Sequence, residues 1–319
     1  KPSIKDETIV TTLETYFGLQ IRTLVFLTLG NDPNSYLYQI KTASKDYLVK
    51  LRKGNFYRAS LAIPDFLHQS GNSHIVPPIA SRSGDLSIQI EDYALSLYRW
   101  IEGQSGGDLT LTTAQQTQFG KIIRMIHNAQ LPPDLVQQLQ KESFIAKGET
   151  ITRTLLAELP ELSDPILQKA ANFWRENSDE IRKITDRTAE IGQQLQMLDL
   201  QFVLCHADIH KANIIVDKRD HIYVIDWDGV ILAPKERDLM FFVENQRGND
   251  HNNTILQAYG DPQVDQLALA YYRYEWVVQE FGDYGELLFL RTDLTGDMRQ
   301  FAFKELQQLF ESGDVIESA

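Results

Sequence analysis

The sequence holds a single cysteine, Cys205, in 319 residues. One thiol makes no internal disulfide, which fits a reducing compartment. Cys205 ends an apolar run, where a cysteine is ordinarily a small buried hydrophobe. No apolar stretch approaches membrane-spanning length, and KPSIKDETIV at the start lacks the pattern of a signal peptide. Positive charge is also scarce: 31 Lys and Arg stand against 44 Asp and Glu, a formal net charge of −13. Such a surface repels phosphate backbones, which argues against nucleic-acid binding by bulk charge and suits a cationic ligand. The expectation is a cytoplasmic protein whose partner is neither nucleic acid nor membrane.

What is present is an ordinary globular composition, 43% hydrophobic and 24% charged, with no internal repeat. Residues 6–17 have helical periodicity, with Gly18 as a stop. IRTLVFLTL, SYLYQIKT and DYLVKLR are rich in β-branched and aromatic residues and are separated by turn material, so three antiparallel strands are predicted over residues 21–52. A helix over 56–70, bent or shortened by Pro64, and two further strands (LSIQI, YALSLYRW) complete a small domain. EGQSGGD, from Glu102 to Asp108, reads as a flexible boundary. TTAQQTQFGKIIRMIHNA is helical, capped by Thr112 or Thr113, and several helices follow over 134–197. Short strands at 202–205, 214–216 and 222–226 interrupt them before helices resume near Pro234. The division expected is 1–101, a nucleotide-binding lobe, and 102–319, a mostly helical catalytic and substrate-binding lobe.

The chemistry concentrates in VLCHADIHKANIIV, Val203 to Val216. As a strand, residues 206–210 would put His206, Asp208 and His210 on one face, the best case for a zinc cage. The remaining five histidines of the seven are scattered singly and offer no further ligand set. A second reading uses more residues. His206-Ala207-Asp208 with Asn213 five positions on fits the kinase loop pattern H-x-D-x-x-x-x-N, and Asp226 follows eighteen positions after Asp208. One carboxylate then accepts a hydroxyl proton, while an amide oxygen and a second carboxylate hold Mg²⁺ against ATP phosphates. Upstream, Lys50 in the third predicted strand occupies the place of a phosphate-gripping lysine. Gly30, Asn31, Asn34 and Ser35 lie in a turn whose amides can cover phosphates. The plainer reading, Asp and Asn as turn formers between strands, remains open for each residue singly.

Together these pieces resemble the aminoglycoside phosphotransferases, and LCHADIHKANIIV with IYVIDWDGVILAPKERDLMFF resembles their spectinomycin-modifying branch. That resemblance implies an α+β, bilobal, protein-kinase-like fold with a small antiparallel-sheet N-lobe and a larger helical C-lobe. It implies Asp208 as catalytic base, Asn213 and Asp226 as Mg²⁺ ligands, and Lys50, with Gly30 and Ser35, on the phosphates of ATP. LYRWIEG resembles the family's hinge, so Tyr98, Trp100 and Ile101 are expected to face adenine. His206 and His210 are expected to brace the loop, as is Asp238 of KERDL, and His127 matches a family histidine near a helix end. One departure stands out. Kinases pair the strand-three lysine with a glutamate on the next helix, yet no glutamate lies between Lys50 and Glu91. Asp65 is the one carboxylate available in the predicted helix.

The acceptor is expected to be a small cationic molecule such as an aminoglycoside or aminocyclitol. Asp228, Glu236 and Glu275 are the carboxylates proposed to meet it. Tyr272 and Trp276, four apart on one helical face, are a candidate aromatic wall; aromatics at that spacing are otherwise core. A metabolic kinase of the homoserine, choline or sugar type uses the same machinery. A nucleotide-binding pseudokinase fits the missing glutamate.

Overall fold

The computed structural model describes residues 1–29, 34–54, 56–243, 253–260, 262–292 and 294–311. In order the elements are α1 (Asp6–Thr12), β1 (Thr23–Leu27), β2 (Ser35–Lys41), β3 (Asp46–Lys53), α2 (Ala59–Gln69), β4 (Ile88–Ile90), β5 (Tyr93–Arg99), β6 (Gly103–Ser105) and α3 (Thr113–His127). Then come α4 (Pro133–Val136), α5 (Glu149–Ala157), α6 (Pro165–Glu176), α7 (Ser178–Gln196), β7 (Val203–Cys205), β8 (Ile214–Asp217), β9 (Ile222–Val224), β10 (Ile231–Ala233), α8 (Glu236–Leu239), α9 (Asn253–Tyr259), α10 (Gln266–Gly285) and α11 (Gly296–Gln308). The expected α+β class is what forms.

The chain falls into two compact units, one of Lys1–Gln140, Leu204–Leu232 and Asn253–Asp261, the other of Lys141–Val203, Ala233–Asn252 and Pro262–Ala319. These units interleave along the chain. In the first, the strands form an antiparallel sheet ordered β1-β2-β3-β5-β4. Alternation decides its faces: Val49 and Leu51 of β3 are fully buried in the cluster that includes Tyr38, Ile40, Leu95 and Leu97. Lys50 and Arg52, at the intervening positions, are therefore turned to the other face.

The segment expected to be a flexible linker is instead ordered. β6 pairs antiparallel with β8, Gly103 opposite Asp217 and Ser105 opposite Ile215, and β8 continues to β9. Glycine permits this approach: a Cβ on Gly103 would stand 2.5 Å from the Val216 carbonyl oxygen. The helix after it is fastened as the sequence indicated, by a capping box between Thr112 and Gln115.

The hairpin β8–β9 is clamped from the loop after α2. The Val224 amide donates to the His74 carbonyl at 2.8 Å, and His74 Nδ1–H donates to the Ile222 carbonyl at 2.8 Å. The His74 ring also stacks on His221, centroids 4.2 Å apart. Burial lowers the His74 pKa, the Ile222 carbonyl pulls it upward, and His221 lowers it again, for a net downward shift. A histidine shifted down contributes stability above its ordinary value of 6.5 and loses it as pH falls through the folded value. His74→Gln is therefore expected to flatten the fall in melting midpoint between about pH 7 and about pH 5; a slope equal to the parent's would contradict this.

The second unit is built on helices. Trp174, Ile181, Val277, Phe281 and Leu306 form one core cluster, and Phe144, Ile191, Tyr271 and Tyr272 another. Two acceptor-side expectations are corrected here. Tyr272 is fully buried and packs edge-on against Tyr271, so it is core rather than an open wall. Glu275 is buried with only 5% of its side chain exposed, paired with Arg237 and accepting from the Lys147 amide. That pairing drives the Arg237 guanidinium upward against the opposing pull of burial. Breaking a buried pair strands the partner's charge, so Glu275→Gln is expected to cost roughly 3–5 kcal/mol in urea unfolding. A loss under about 1 kcal/mol would count against a structural Glu275.

Candidate functional site

The candidate site rests on four charged side chains of the first unit. Lys50 Nζ donates to Asp226 Oδ1 at 2.9 Å and to Asp228 Oδ2 at 2.7 Å, across 176 and 178 positions of sequence. Arg52 Nη1 donates to the same Asp228 oxygen at 2.7 Å. Lys50 keeps only 14% of its side chain exposed, whereas Asp226 keeps 47%. Burial alone would lower the Lys50 pKa, but Asp226 and Asp228 outweigh it and the net shift is upward. Burial likewise raises Asp226, and Lys50 more than reverses that, holding the carboxyl below its usual range.

Asp65, the expected substitute for the missing glutamate, is not the partner of Lys50. Its Oδ2 accepts from Gln69 Nε2 at 2.7 Å, one turn along α2. Asp228, expected on the acceptor side, pairs with Lys50 alongside Asp226. Arg52 went unnoticed in the sequence, although the spacing Lys50-Leu51-Arg52 already set both cations on one strand face.

Residues 206–210 form no strand, so the shared face needed for a zinc cage is absent. His206 is fully buried; its Nε2–H donates to the Ile225 carbonyl at 2.9 Å and its ring lies 4.6 Å from that of Trp227. It thus grips the chain on both sides of Asp226. Asn213 Nδ2 donates to the Asp208 carbonyl at 2.8 Å and to Asp208 Oδ2 at 2.7 Å. The Asn213 carbonyl in turn accepts from the Ile225 amide at 3.0 Å. With its amide nitrogen committed, Asn213 keeps its amide oxygen for another partner. His210 Nδ1 accepts from the Ala212 amide at 3.2 Å, which fixes the proton on Nε2, 3.2 Å from Asp208 Oδ1. Burial lowers the His210 pKa, but Asp208 outweighs it and the shift is upward.

The backbone is strained where these groups converge. Ala207 has φ 69° and Asp226 has φ 61°, both left-handed without being glycine. For L-residues such conformations cost on the order of 1 kcal/mol or more and persist where surroundings impose them, often at functional loops.

The other expected residues distribute as follows. Ser35 opens β2 opposite Arg52, beside the charged cluster in register, while Gly30 lies outside the described residues. Tyr98 and Trp100 lead out of β5, and the Trp100 amide already donates to the Asp46 carbonyl at 3.1 Å. It is therefore not available to a base, which leaves the Ile101 amide and the segment's carbonyls. In the second unit Asp238 is fully buried in α8. Glu236, also buried, accepts from the Asp265 amide at 2.9 Å and from Lys235 at 3.0 Å, a structural task unlike the open carboxylate expected. Trp276 is half-buried at the edge of a core cluster.

Comparison with known proteins identifies the family. Residues 26–276 match the phosphotransferase enzyme family, APH. The structure of spectinomycin phosphotransferase APH(9)-Ia in complex with ADP and spectinomycin is 33% identical, covers 99% of this chain and 98% of its own, and superposes with a TM-score of 0.87. The AMP-bound complex of the same enzyme gives 32% identity, 98% coverage of both chains and 0.83. Choline kinase LicA from Streptococcus pneumoniae, at 16% identity, 98% and 99% coverage and a TM-score of 0.61, shares the fold. The chain is a small-molecule phosphotransferase and belongs to the APH phosphotransferase family.

Proposed function

We propose that this enzyme moves the γ-phosphoryl group of ATP to a hydroxyl of a cationic aminocyclitol or aminoglycoside, with spectinomycin as the first acceptor to test. The observation that carries the reading is the 33% identity, over 99% of the chain, to an enzyme solved with ADP and spectinomycin. The acidic balance of −13 agrees with a cationic acceptor.

The residues take the following parts. Asp208, with 48% of its side chain open to solvent, orients the acceptor hydroxyl and takes its proton. Asn213 and His210 fix the direction of that carboxylate from two sides. Lys50 releases part of its hold on Asp226 and engages the α- and β-phosphates. His206 keeps Asp226 in its left-handed turn. A magnesium ion fits the donor set, since the Asn213 amide oxygen and the exposed Asp226 carboxylate are hard oxygens. When bound, that ion supplies charge neutralisation on the phosphate oxygens. Ser35 lies on the phosphate side, and Tyr98, Trp100 and Ile101 border the base. The lobe division at 101/102 is proposed as a functional partition, not a boundary of compactness.

A metabolic acceptor is the second reading, favoured by the fold shared with choline kinase. An ADP-release assay over spectinomycin, aminoglycosides, homoserine, choline and simple sugars separates the two. Turnover with spectinomycin or an aminoglycoside is expected; turnover with a metabolite alone would replace the acceptor class. Asp208→Asn is expected to lower kcat by about 100-fold or more while Mg·ATP affinity stays within about 2-fold. Parent-like turnover in that variant would end Asp208's role.

A further inference from the structure

The lysine of β3 has no carboxylate on α2 to hold it. Among the described residues Asp65, the only acid of that helix, is engaged with Gln69, and Lys50 bonds to Asp226 and Asp228 instead. These two acids are not equivalent. Asp226 presents an exposed carboxylate and bonds Lys50 through one oxygen. Asp228 is less exposed, at 31%, and its Oδ2 is shared by Lys50 and Arg52, each at 2.7 Å. If Asp226 turns to a cation, Lys50 keeps one anchor, Asp228. That anchor is itself held by a guanidinium two residues farther along the same strand.

We propose that Asp228 is the positioning residue for Lys50, replacing the helix carboxylate that kinases ordinarily use, with Arg52 as the group that fixes Asp228. The inference rests on the reading of Lys50 as a phosphate-gripping residue. Physically, a lysine must be aimed as well as charged: its ammonium sits on a flexible four-carbon stem, and an acceptor on the far side sets where the remaining N–H groups point. Positioning from the loop after β9, rather than from α2, couples the lysine to the strand hairpin that carries Asp226. Any change that moves the hairpin then moves both phosphate-side groups together. Asp228 thereby leaves the acceptor side of the site.

The sign of one experiment separates this from simple electrostatics. Removing a carboxylate near a polyphosphate should tighten binding if charge repulsion were all that mattered. Positioning predicts the reverse. By titration calorimetry at saturating magnesium, Asp228→Asn is expected to weaken ATP by about 10- to 100-fold, the worth of a lost charge-assisted hydrogen bond. Adenosine, which has no phosphates, is expected to bind the variant and the parent alike. Arg52→Gln is expected to move the ATP constant the same way by a smaller factor, and Asp65→Asn to leave it unchanged. Should Asp228→Asn fold poorly, Asp228→Glu and Arg52→Gln carry the same comparison. Equal or tighter ATP binding by Asp228→Asn overturns the proposal, as does equal weakening of adenosine. A shifted magnesium requirement with ATP affinity intact would make Asp228 a metal ligand instead. Weakened spectinomycin with ATP intact would return it to the acceptor side. A parent protein that binds no Mg·ATP would defeat the reading of Lys50 itself, and this inference with it.

Discussion

Everything in the site depends on one ionic cluster, Lys50 and Arg52 against Asp226 and Asp228. Two cations from a single strand meet two anions from a single turn, so the formal charges cancel before any ligand arrives. Burial pulls the lysine toward neutrality and the carboxylates hold it charged. Such a cluster is not a large source of stability, because part of it faces solvent and exposed pairs contribute about 1 kcal/mol or less. Its consequence is geometric. It joins segments 176 positions apart in sequence and leaves the Asp226 carboxylate exposed.

The rest of the unit explains why the cluster can form. Val49 and Leu51, buried beneath the sheet, force their neighbours to the opposite face. His206 ties the turn after β9 through Ile225 and Trp227, and the His74 loop clamps the same hairpin from outside. The strained φ at Ala207 and Asp226 is sustained by that web of bonds. Strain, brace and ion pairs therefore converge on one short loop and the turn facing it.

Much of this was legible in the sequence, and the failures have physical causes. Strands β1 to β3 announced themselves through β-branched and aromatic runs between turns, and Thr112 announced α3 as a cap. The spacing from His206 to Asp226 specified which side chains gather. EGQSGGD misled because its glycines suggest freedom, whereas here they admit a close backbone approach to β8. Composition does not distinguish the two uses of glycine. Tyr272 and Glu275 misled because one helix face gives no sign of whether it points to a ligand or to its own core; Arg237 claims the acid, and packing claims the ring. The partner of Lys50 was hidden for a different reason. It lies 178 positions away, and a local search for a carboxylate on the following helix finds only Asp65.

The central claim is that Lys50, Asp226 and Asn213 close around a magnesium nucleotide. A crystal structure of the protein with magnesium and a non-hydrolysable ATP analogue tests it most directly. The account predicts the Lys50 ammonium within hydrogen-bonding distance of an α- or β-phosphate oxygen, with Asp226 and the Asn213 amide oxygen on the cation. A nucleotide bound elsewhere, with Lys50 still joined to Asp226 and no phosphate nearby, would contradict it.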